Sequence, residues 1–271
     1  MISIPILLYH SISAQASRRF RPWAVPPASF AAHMETIARD GYEPVTVDRL
    51  QRLLHNGPMP ARPVVITFDD GFEDFHSHAL PVLDRHGFAA TLYVPTGYIG
   101  GRAAWLAHEH EADRRMLGWT QVAEIAAGGV QIGAHSHTHP RLDELRPHES
   151  LEEIVRSKEV LEDRLQLPVT SFAYPHGYHD RRVRRQVIGA GYGSGMAVKH
   201  AMSSADDDRY ALARIVVPRD ATVDDVRRLL RGSCLRQAPF RTPLRTTGWR
   251  LVRRGRANVV KRMSGSVERW R

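Results

Sequence analysis

The sequence has few of the features that mark secreted, membrane-spanning or nucleic-acid-binding proteins. It contains one cysteine, Cys234, so no internal disulfide can form, which fits a reducing compartment. It has no apolar run of the roughly 18 residues that a membrane-spanning helix needs. The first residues have no cationic start, and their apolar stretch ends at Tyr9 and His10, unlike a secretory signal peptide. We therefore expect a cytoplasmic protein.

Excess positive charge is absent from most of the chain. Residues 1–240 hold 28 basic and 28 acidic side chains, whereas residues 241–271 hold ten basic side chains and one acid, Glu268. The whole net charge of +9 therefore lies in the C-terminal tail. Because binding to phosphates needs concentrated positive charge, the neutral body predicts no nucleic-acid partner.

The tail allows two interpretations. From Trp249 to Met263, a helical projection places apolar side chains on one side and most basic ones elsewhere, which is typical of a segment that lies on an anionic membrane surface. Gly255 would weaken such a helix, Arg253 and Arg256 would lie on its apolar side, and basic tails are often disordered. We expect either peripheral contact with the inner face of the membrane or a disordered tail.

Short apolar runs alternate with helix-like stretches along the body. There are seven such runs: Ile4–Tyr9, Val64–Phe68, Ala89–Val94, Val130–Ala134, Thr170–Tyr174, Tyr192–Val198 and Leu212–Val217. Helical spacing is seen in Ser29–Asp40, Ala79–His86, Thr120–Ala127 and Ser150–Leu165. Ser29 and Ser150 are the expected N-caps, and Gly41, Gly87 and Gly128 the expected stops. The alternation predicts a parallel α/β sheet that is closed or nearly closed, with the active site at the carboxyl ends of the strands.

Polar motifs follow three of these runs directly. They are Thr67–Gly71, His135–His139 and Phe172–Pro175. Gly71 lets the chain turn tightly after the strand, so one of the neighbouring carboxylates, Asp69 or Asp70, could bind a metal while the other faces its bound water. Alone, such an Asp-Asp-Gly segment is more often a turn or a helix cap.

His135 and His139 are spaced to lie on one side of a helical turn. With one carboxylate they complete the two-histidine, one-acid set of catalytic zinc sites, which predicts a hydrolase. Alone, this segment could be a histidine-rich surface turn, and His137 is expected to be exposed. The mixed stretch Gly97–Gly118 is expected to be a loop over the rim of the sheet.

The motifs in this order resemble those of the polysaccharide deacetylases, carbohydrate esterase family 4, whose shared unit is the NodB homology domain. The similarity covers roughly residues 1–230 and rests on Thr67–Gly71 and His135–His139, with Gly133 and Pro140 in place. The segment Pro5–His10 resembles a permuted subgroup that includes poly-N-acetylglucosamine deacetylases, in which a strand usually found at the end of the domain comes first. The resemblance implies a distorted (β/α)7 TIM-like barrel over residues 1–235, followed by the tail, 236–271.

The resemblance also implies a role for each site residue. Asp70, His135 and His139 would hold one divalent metal, and Asp69 would be the general base on water whose pKa the metal lowers toward about 7. The backbone N–H of Tyr174 would stabilise the oxyanion. His10 would protonate the departing amine. The products would be acetate and a free amino sugar.

One part of the pattern is missing. The family usually has an arginine near Phe172–Pro175 that braces the base, and this chain has none there. Arg214 could replace it, or could equally form a salt bridge at the rim. Trp105 and Trp119 could stack on a sugar ring, although Trp119 is expected to pack in the core.

The sequence therefore favours a metal-dependent hydrolase that removes N-acetyl groups from an N-acetylated sugar or glycan. Two alternatives remain: a related hydrolase of C–N bonds in a non-sugar substrate, and a glycan-binding protein without activity. Zinc suits the donor set best, although cobalt, nickel or iron can occupy similar sets.

Overall fold

The computed structural model describes residues 3–233 and 235–240, so Cys234 and most of the basic tail lie outside the described residues. In the described part the strands are β1 (Ser3–Ile4), β2 (Ile6–Tyr9), β3 (Ser11–Ile12), β4 (Ala24–Val25), β5 (Glu43–Pro44), β6 (Pro63–Phe68), β7 (Thr91–Val94), β8 (Gln131–Ala134), β9 (Ser171–Ala173), β10 (Ser194–Met196), β11 (Ala201–Ser204), β12 (Ile215–Val216) and β13 (Arg236–Gln237). The α-helices there are α1 (Pro27–Arg39), α2 (Val47–Asn56), α3 (Leu80–His86), α4 (Trp119–Ala127), α5 (Pro147–Leu165), α6 (Arg181–Gly189) and α7 (Val223–Leu230).

The main sheet is a curled parallel sheet with the strand order β10-β9-β8-β7-β6-β2-β12. Each of these seven strands coincides with one of the apolar runs predicted from the sequence, although β6 begins one residue earlier, at Pro63. A bridge between Met196 and Leu212 joins the two ends of the sheet, and Ala197 donates to the carbonyl of Leu212 at 2.9 Å. The predicted distorted (β/α)7 barrel is therefore confirmed.

The order of the strands explains how distant motifs meet. The first long strand, β2, pairs on one side with β6, where Leu8 lies opposite Thr67, and on the other side with β12. Strands β7, β8 and β9 continue the sheet beyond β6. All these strands run in the same direction, so the residues that follow them lie along one rim.

The helices cover the outside of the sheet, and four of them match the predicted stretches. The predicted N-caps were wrong: α1 begins at Pro27 and α5 at Pro147, because proline fits the first helical position, where no backbone N–H is needed. Ser150 lies inside α5, where its hydroxyl donates to Gln186 at 2.9 Å. The predicted stop at Gly87 is confirmed, since it is the left-handed C-cap of α3.

The structure also describes residues 236–240, which the sequence analysis assigned to the tail. Strand β13 pairs in parallel with β11, and the buried Ala238 donates its N–H to Met202 at 2.9 Å. The first five residues of the segment assigned to the tail thus lie against the body, and residues 241–271 are outside the description. None of the described helices is both long enough and apolar enough to cross a bilayer.

Candidate metal centre and active-site pocket

Two neighbouring carboxylates leave the end of β6 in a sharp turn. The backbone of Asp69 continues the sheet, donating to the carbonyl of Tyr9 at 3.0 Å. Asp70 and Gly71 both adopt left-handed conformations, with φ of 74° and 65°. A Cβ at Gly71 would lie 2.8 Å from Val94 Cγ1, so this turn requires glycine. Both carboxylates are buried.

The two histidines converge through a loop, so the predicted helical turn was wrong. After β8 the chain is irregular, and Ser136 and His139 have left-handed φ values of 63° and 58°. The Ser136 hydroxyl accepts a hydrogen bond from the His139 N–H at 3.0 Å, which closes the loop. As a result, the Nε2 atoms of His135 and His139 are 3.2 Å apart. His137, expected to be exposed, is half-buried, and its Nδ1 lies 2.8 Å from the Thr96 hydroxyl.

The three predicted ligands form one compact set. Asp70 Oδ1 lies 3.1 Å from His139 Nε2 and 3.5 Å from His135 Nε2. Atoms bound at about 2.0–2.2 Å to one tetrahedral or octahedral ion are separated by about 3 to 3.6 Å. His135 also donates its Nδ1–H to the carbonyl of Ala173 at 2.8 Å, which fixes the orientation of its ring. The donor set therefore fits a divalent metal.

Arg214 braces Asp69 directly, which decides between the two roles that the sequence left open. Its Nη1 and Nη2 donate to Asp69 Oδ1 and Oδ2 at 2.6 and 2.7 Å. Its Nε donates to the carbonyl of Ala197 at 3.2 Å, and the side chain is fully buried. This is a two-bonded arginine–carboxylate pair inside the barrel rather than a rim salt bridge.

The charges of the site favour a cation beside Asp70. Burial raises the pKa of Asp69, but the charges of Arg214 and His135 outweigh it, and the pKa lies below its ordinary value. Burial also acts to raise the pKa of Asp70, yet hydrogen bonds from His135 and His139 hold it well below the ordinary range. The positive charge of Arg214 is paired with Asp69. The negative charge of Asp70 is therefore available to a proton or a metal ion that it shares with the two imidazoles.

The carboxylates and imidazoles line one pocket of about 280 Å³. Its wall includes Phe20 and Trp23 from the segment after β3, and Trp105 and Glu109 from the predicted rim loop. The expectation for Gly97–Gly118 is thus confirmed. Trp119 packs against the core instead, with the guanidinium of Arg164 5.4 Å from its ring centre.

Comparison with known proteins identifies the family. The family model described as polysaccharide deacetylase matches residues 56–194. The chain belongs to the polysaccharide deacetylase family. It is 31% identical to the Bacillus subtilis protein YxkH, provisionally named a polysaccharide deacetylase, over 79% of this chain and 71% of that protein.

Two further relatives agree with this assignment. The poly-beta-1,6-N-acetyl-D-glucosamine N-deacetylase of Staphylococcus aureus strain MRSA252 is 20% identical over 76% of this chain and 72% of its own length. The structure of Streptococcus pyogenes deacetylase PplD in complex with acetate superposes with a TM-score of 0.73 and 25% identity, covering 84% of this chain and 98% of that one. Family membership indicates a deacetylase-type hydrolase.

His10, the predicted acid, lies on the wall of this deacetylase-family pocket. Burial lowers its pKa, and the charges of Asp70 and Asp69 partly offset that effect. Its ring centre is 5.1 Å from that of Trp23. Within the described residues no hydrogen bond holds the His10 side chain, so its position depends on the surrounding segments.

Tyr174 cannot serve as the predicted oxyanion donor. Its backbone N–H donates to the carbonyl of Met196 at 3.1 Å, because Tyr174 still belongs to the pairing of β9 with β10. Its hydroxyl donates to the carbonyl of Tyr210 at 2.8 Å, and its ring stacks on His179. Tyr174 is a buried structural residue outside the pocket lining.

Two residues on the pocket wall were missed by the sequence reasoning. His176, two positions after Tyr174, has a left-handed φ of 57°, and its ring centre is 4.7 Å from that of His139. Burial lowers the pKa of His176 to about 3. The Pro-His-Gly sequence is typical of a turn and was the signal that could have predicted it. Trp23 is 41% exposed beside His10, and nothing in its irregular, arginine-rich segment predicts that position.

Proposed function

We propose that this protein is a metal-dependent hydrolase that removes N-acetyl groups from an N-acetylated glycan and releases acetate. The observation that supports this most directly is the convergence of Asp70, His135 and His139 beside a braced Asp69 in one pocket. Poly-N-acetylglucosamine is the favoured class of substrate, because a relative that aligns over most of both chains is named for that activity.

In this proposal Asp70, His135 and His139 hold the metal through one carboxylate oxygen and two Nε2 atoms. Zinc is the expected ion, and cobalt, nickel or iron could occupy the same set. A bound divalent ion supplies positive charge that polarises the acetamide carbonyl and acidifies water at neutral pH. His139 presents Nε2 to Asp70 Oδ1 at 3.1 Å, while its Nδ1 is buried without a hydrogen-bond partner among the described residues.

Asp69 is the proposed general base. Arg214 keeps it ionised and fixes both of its oxygens, each of which retains a further lone pair for a proton from water. Asp69 Oδ2 lies 3.8 Å from His135 Nε2, farther than Asp70 Oδ1 does. Asp69 is therefore beside the three proposed ligands without being one of them. This geometry allows one carboxylate to accept a proton while its neighbour binds the metal.

His10 is the proposed general acid on the leaving nitrogen. An amine departs poorly unless it receives a proton, and the His10 imidazole lines the same pocket as Asp69 and Asp70. For the oxyanion we propose the backbone N–H of His176 in place of Tyr174. His176 lines the pocket and adopts a left-handed conformation just past the end of β9, where the strand pairing that engages the Tyr174 N–H has ended. Losing one such donor typically costs about 10²–10³ in turnover.

The decisive experiment measures acetate release from a panel of N-acetylglucosamine oligomers, together with metal content. The wild type should release acetate, and a chelator should abolish that activity. Asp69→Asn should lose turnover but keep its metal, whereas His135→Ala should lose both. A wild type that is equally active without metal would refute the metal-dependent mechanism, and full activity of Asp69→Asn would remove the proposed base.

We also propose, from the sequence alone, that the protein is cytoplasmic and that its basic tail contacts anionic membrane surfaces. The supporting observation is the concentration of the whole net charge of +9 in residues 241–271, and a helical projection of Trp249–Met263 predicts an apolar side there. Deleting the tail should abolish sedimentation with anionic lipid vesicles. Unchanged sedimentation would refute this part of the proposal.

A further inference from the structure

Arg114 does not line the pocket, but it contacts the segments that build one side of it. Its Nη1 lies 3.0 Å from Asp74 Oδ2 and 3.0 Å from the Ser11 hydroxyl. Its Nη2 lies 3.0 Å from Glu111 Oε2. The side chain is only 10% exposed, and the carboxylates facing its guanidinium are those of Asp74 and Glu111.

The contact with Asp74 connects Arg114 to the residues that follow His10. Asp74 accepts a hydrogen bond from the Ser11 hydroxyl at 2.6 Å and one from the backbone N–H of Ile12 at 3.1 Å. These are the two residues that follow His10 directly. Since no described residue hydrogen-bonds the His10 side chain itself, this backbone anchor is a main constraint on where the imidazole lies.

The contacts with Phe20 and Glu111 connect Arg114 to the segment that carries Trp23, whose ring packs on His10. The guanidinium of Arg114 is 4.7 Å from the ring centre of Phe20, and Phe20 lines the pocket at the start of the turn that ends with Trp23. Glu111, the other carboxylate that Arg114 binds, accepts a hydrogen bond from the backbone N–H of Ser17. Arg114 therefore supports the segment of Trp23 from two directions.

We propose that Arg114 is a positioning residue that holds His10 and its neighbour Trp23 in place for proton transfer to the leaving nitrogen. This inference rests on the proposed function, because it takes His10 as the acid. Arg114 acts through Asp74 and Phe20 and does not touch the substrate. Its planar fork binds two carboxylates and lies against an aromatic ring, an arrangement that a lysine reproduces only in part.

The test compares an amide with an ester. The amide is an N-acetylglucosamine oligomer, whose amine needs a proton, and the ester is an aryl acetate, whose activated leaving group does not. In Arg114→Gln and in His10→Ala, kcat on the amide should fall by roughly 10²-fold, while kcat on the ester should change by no more than about threefold. Arg114→Lys should recover part of the amide activity.

Arg182 provides a matched control. It is half-buried, donates to the carbonyls of Leu142 and Leu145, and is not part of the pocket lining. Arg182→Gln should reduce both activities by the same small factor. Equal losses on amide and ester in Arg114→Gln, alongside unequal losses in His10→Ala, would overturn the positioning role and leave the proposed function intact.

A measurement without substrate separates the two proposals further. In Arg114→Gln, backbone amides of residues 11–20 should exchange hydrogen faster by mass spectrometry, with unchanged exchange in α5 and unchanged metal content. Unaltered exchange in residues 11–20 would refute the positioning role. If the wild type released no acetate from any oligomer, the proposed function would fail, and the exchange experiment would still decide whether Arg114 holds this segment.

Discussion

Removing one partner of the buried pair between Arg214 and Asp69 should lower both stability and activity. Arg214→Met removes two charged hydrogen bonds, of 2.6 and 2.7 Å, and leaves a carboxylate that is only 4% exposed without its counter-charge. Breaking such a pair on one side typically costs about 3–5 kcal/mol of unfolding free energy. We expect a loss in this range, and a large fall in kcat because the proposed base is no longer held.

Urea unfolding of the metal-free protein measures this loss. Arg49→Met is the matched control, since Arg49 forms a 3.0 Å ion pair with Glu43 in which both side chains are more than half exposed. Pairs of that kind contribute about 0–1 kcal/mol. Arg49→Met, unlike Arg214→Met, should therefore leave the free energy of unfolding nearly unchanged.

A double variant tests the coupling between the two partners. Asp69→Leu combined with Arg214→Met removes both charges and leaves neither one buried alone, so it should be markedly more stable than the sum of the single losses predicts. The interpretation would be refuted if Arg214→Met cost no more than Arg49→Met, or if the two single losses simply added.

Two further predictions concern the core. His33 is buried against Tyr9 and the carbonyl of Ala221, and burial lowers its pKa from 6.5, although that carbonyl acts in the other direction. The folded state thus binds fewer protons than the unfolded state, so stability should be full above about pH 6.5 and fall as the pH drops below it, by at most about 1.4 kcal/mol per pH unit for this group. His33→Gln should flatten that slope in urea unfolding between pH 7.5 and 5.5, and an identical slope would contradict the assignment. A Cβ at Gly133 would lie 2.4 Å from the ring of Tyr93, so Gly133→Ala should destabilise the protein by about 1–3 kcal/mol in the same assay. Gly189→Ala, where nothing lies within 4 Å of the added carbon, should not, and equal effects would argue against this packing.

The strands of the barrel were predictable because their residues are buried on both faces. A parallel strand covered on both sides reads as a continuous apolar run, and all seven runs became strands of the main sheet. The helix starts were less predictable, because Ser29 and Ser150 have the chemistry of N-caps while the prolines at positions 27 and 147 have the backbone geometry of the first helical residue.

The sequence by itself determined that an aspartate and two histidines follow strands whose ends share a rim, because parallel strands place the residues after them on the same side. Only the tertiary structure decided how those side chains meet. The approach of His135 and His139 depends on two left-handed residues in a loop, and no spacing rule predicts that conformation. The sequence also could not choose a role for Arg214, which is 145 positions from Asp69 and reaches it only because β12, β2 and β6 are neighbours. The family resemblance implied the N–H of Tyr174 as a donor, but in the structure that group donates to the carbonyl of Met196, because a strand keeps its backbone hydrogen bonds until the pairing ends.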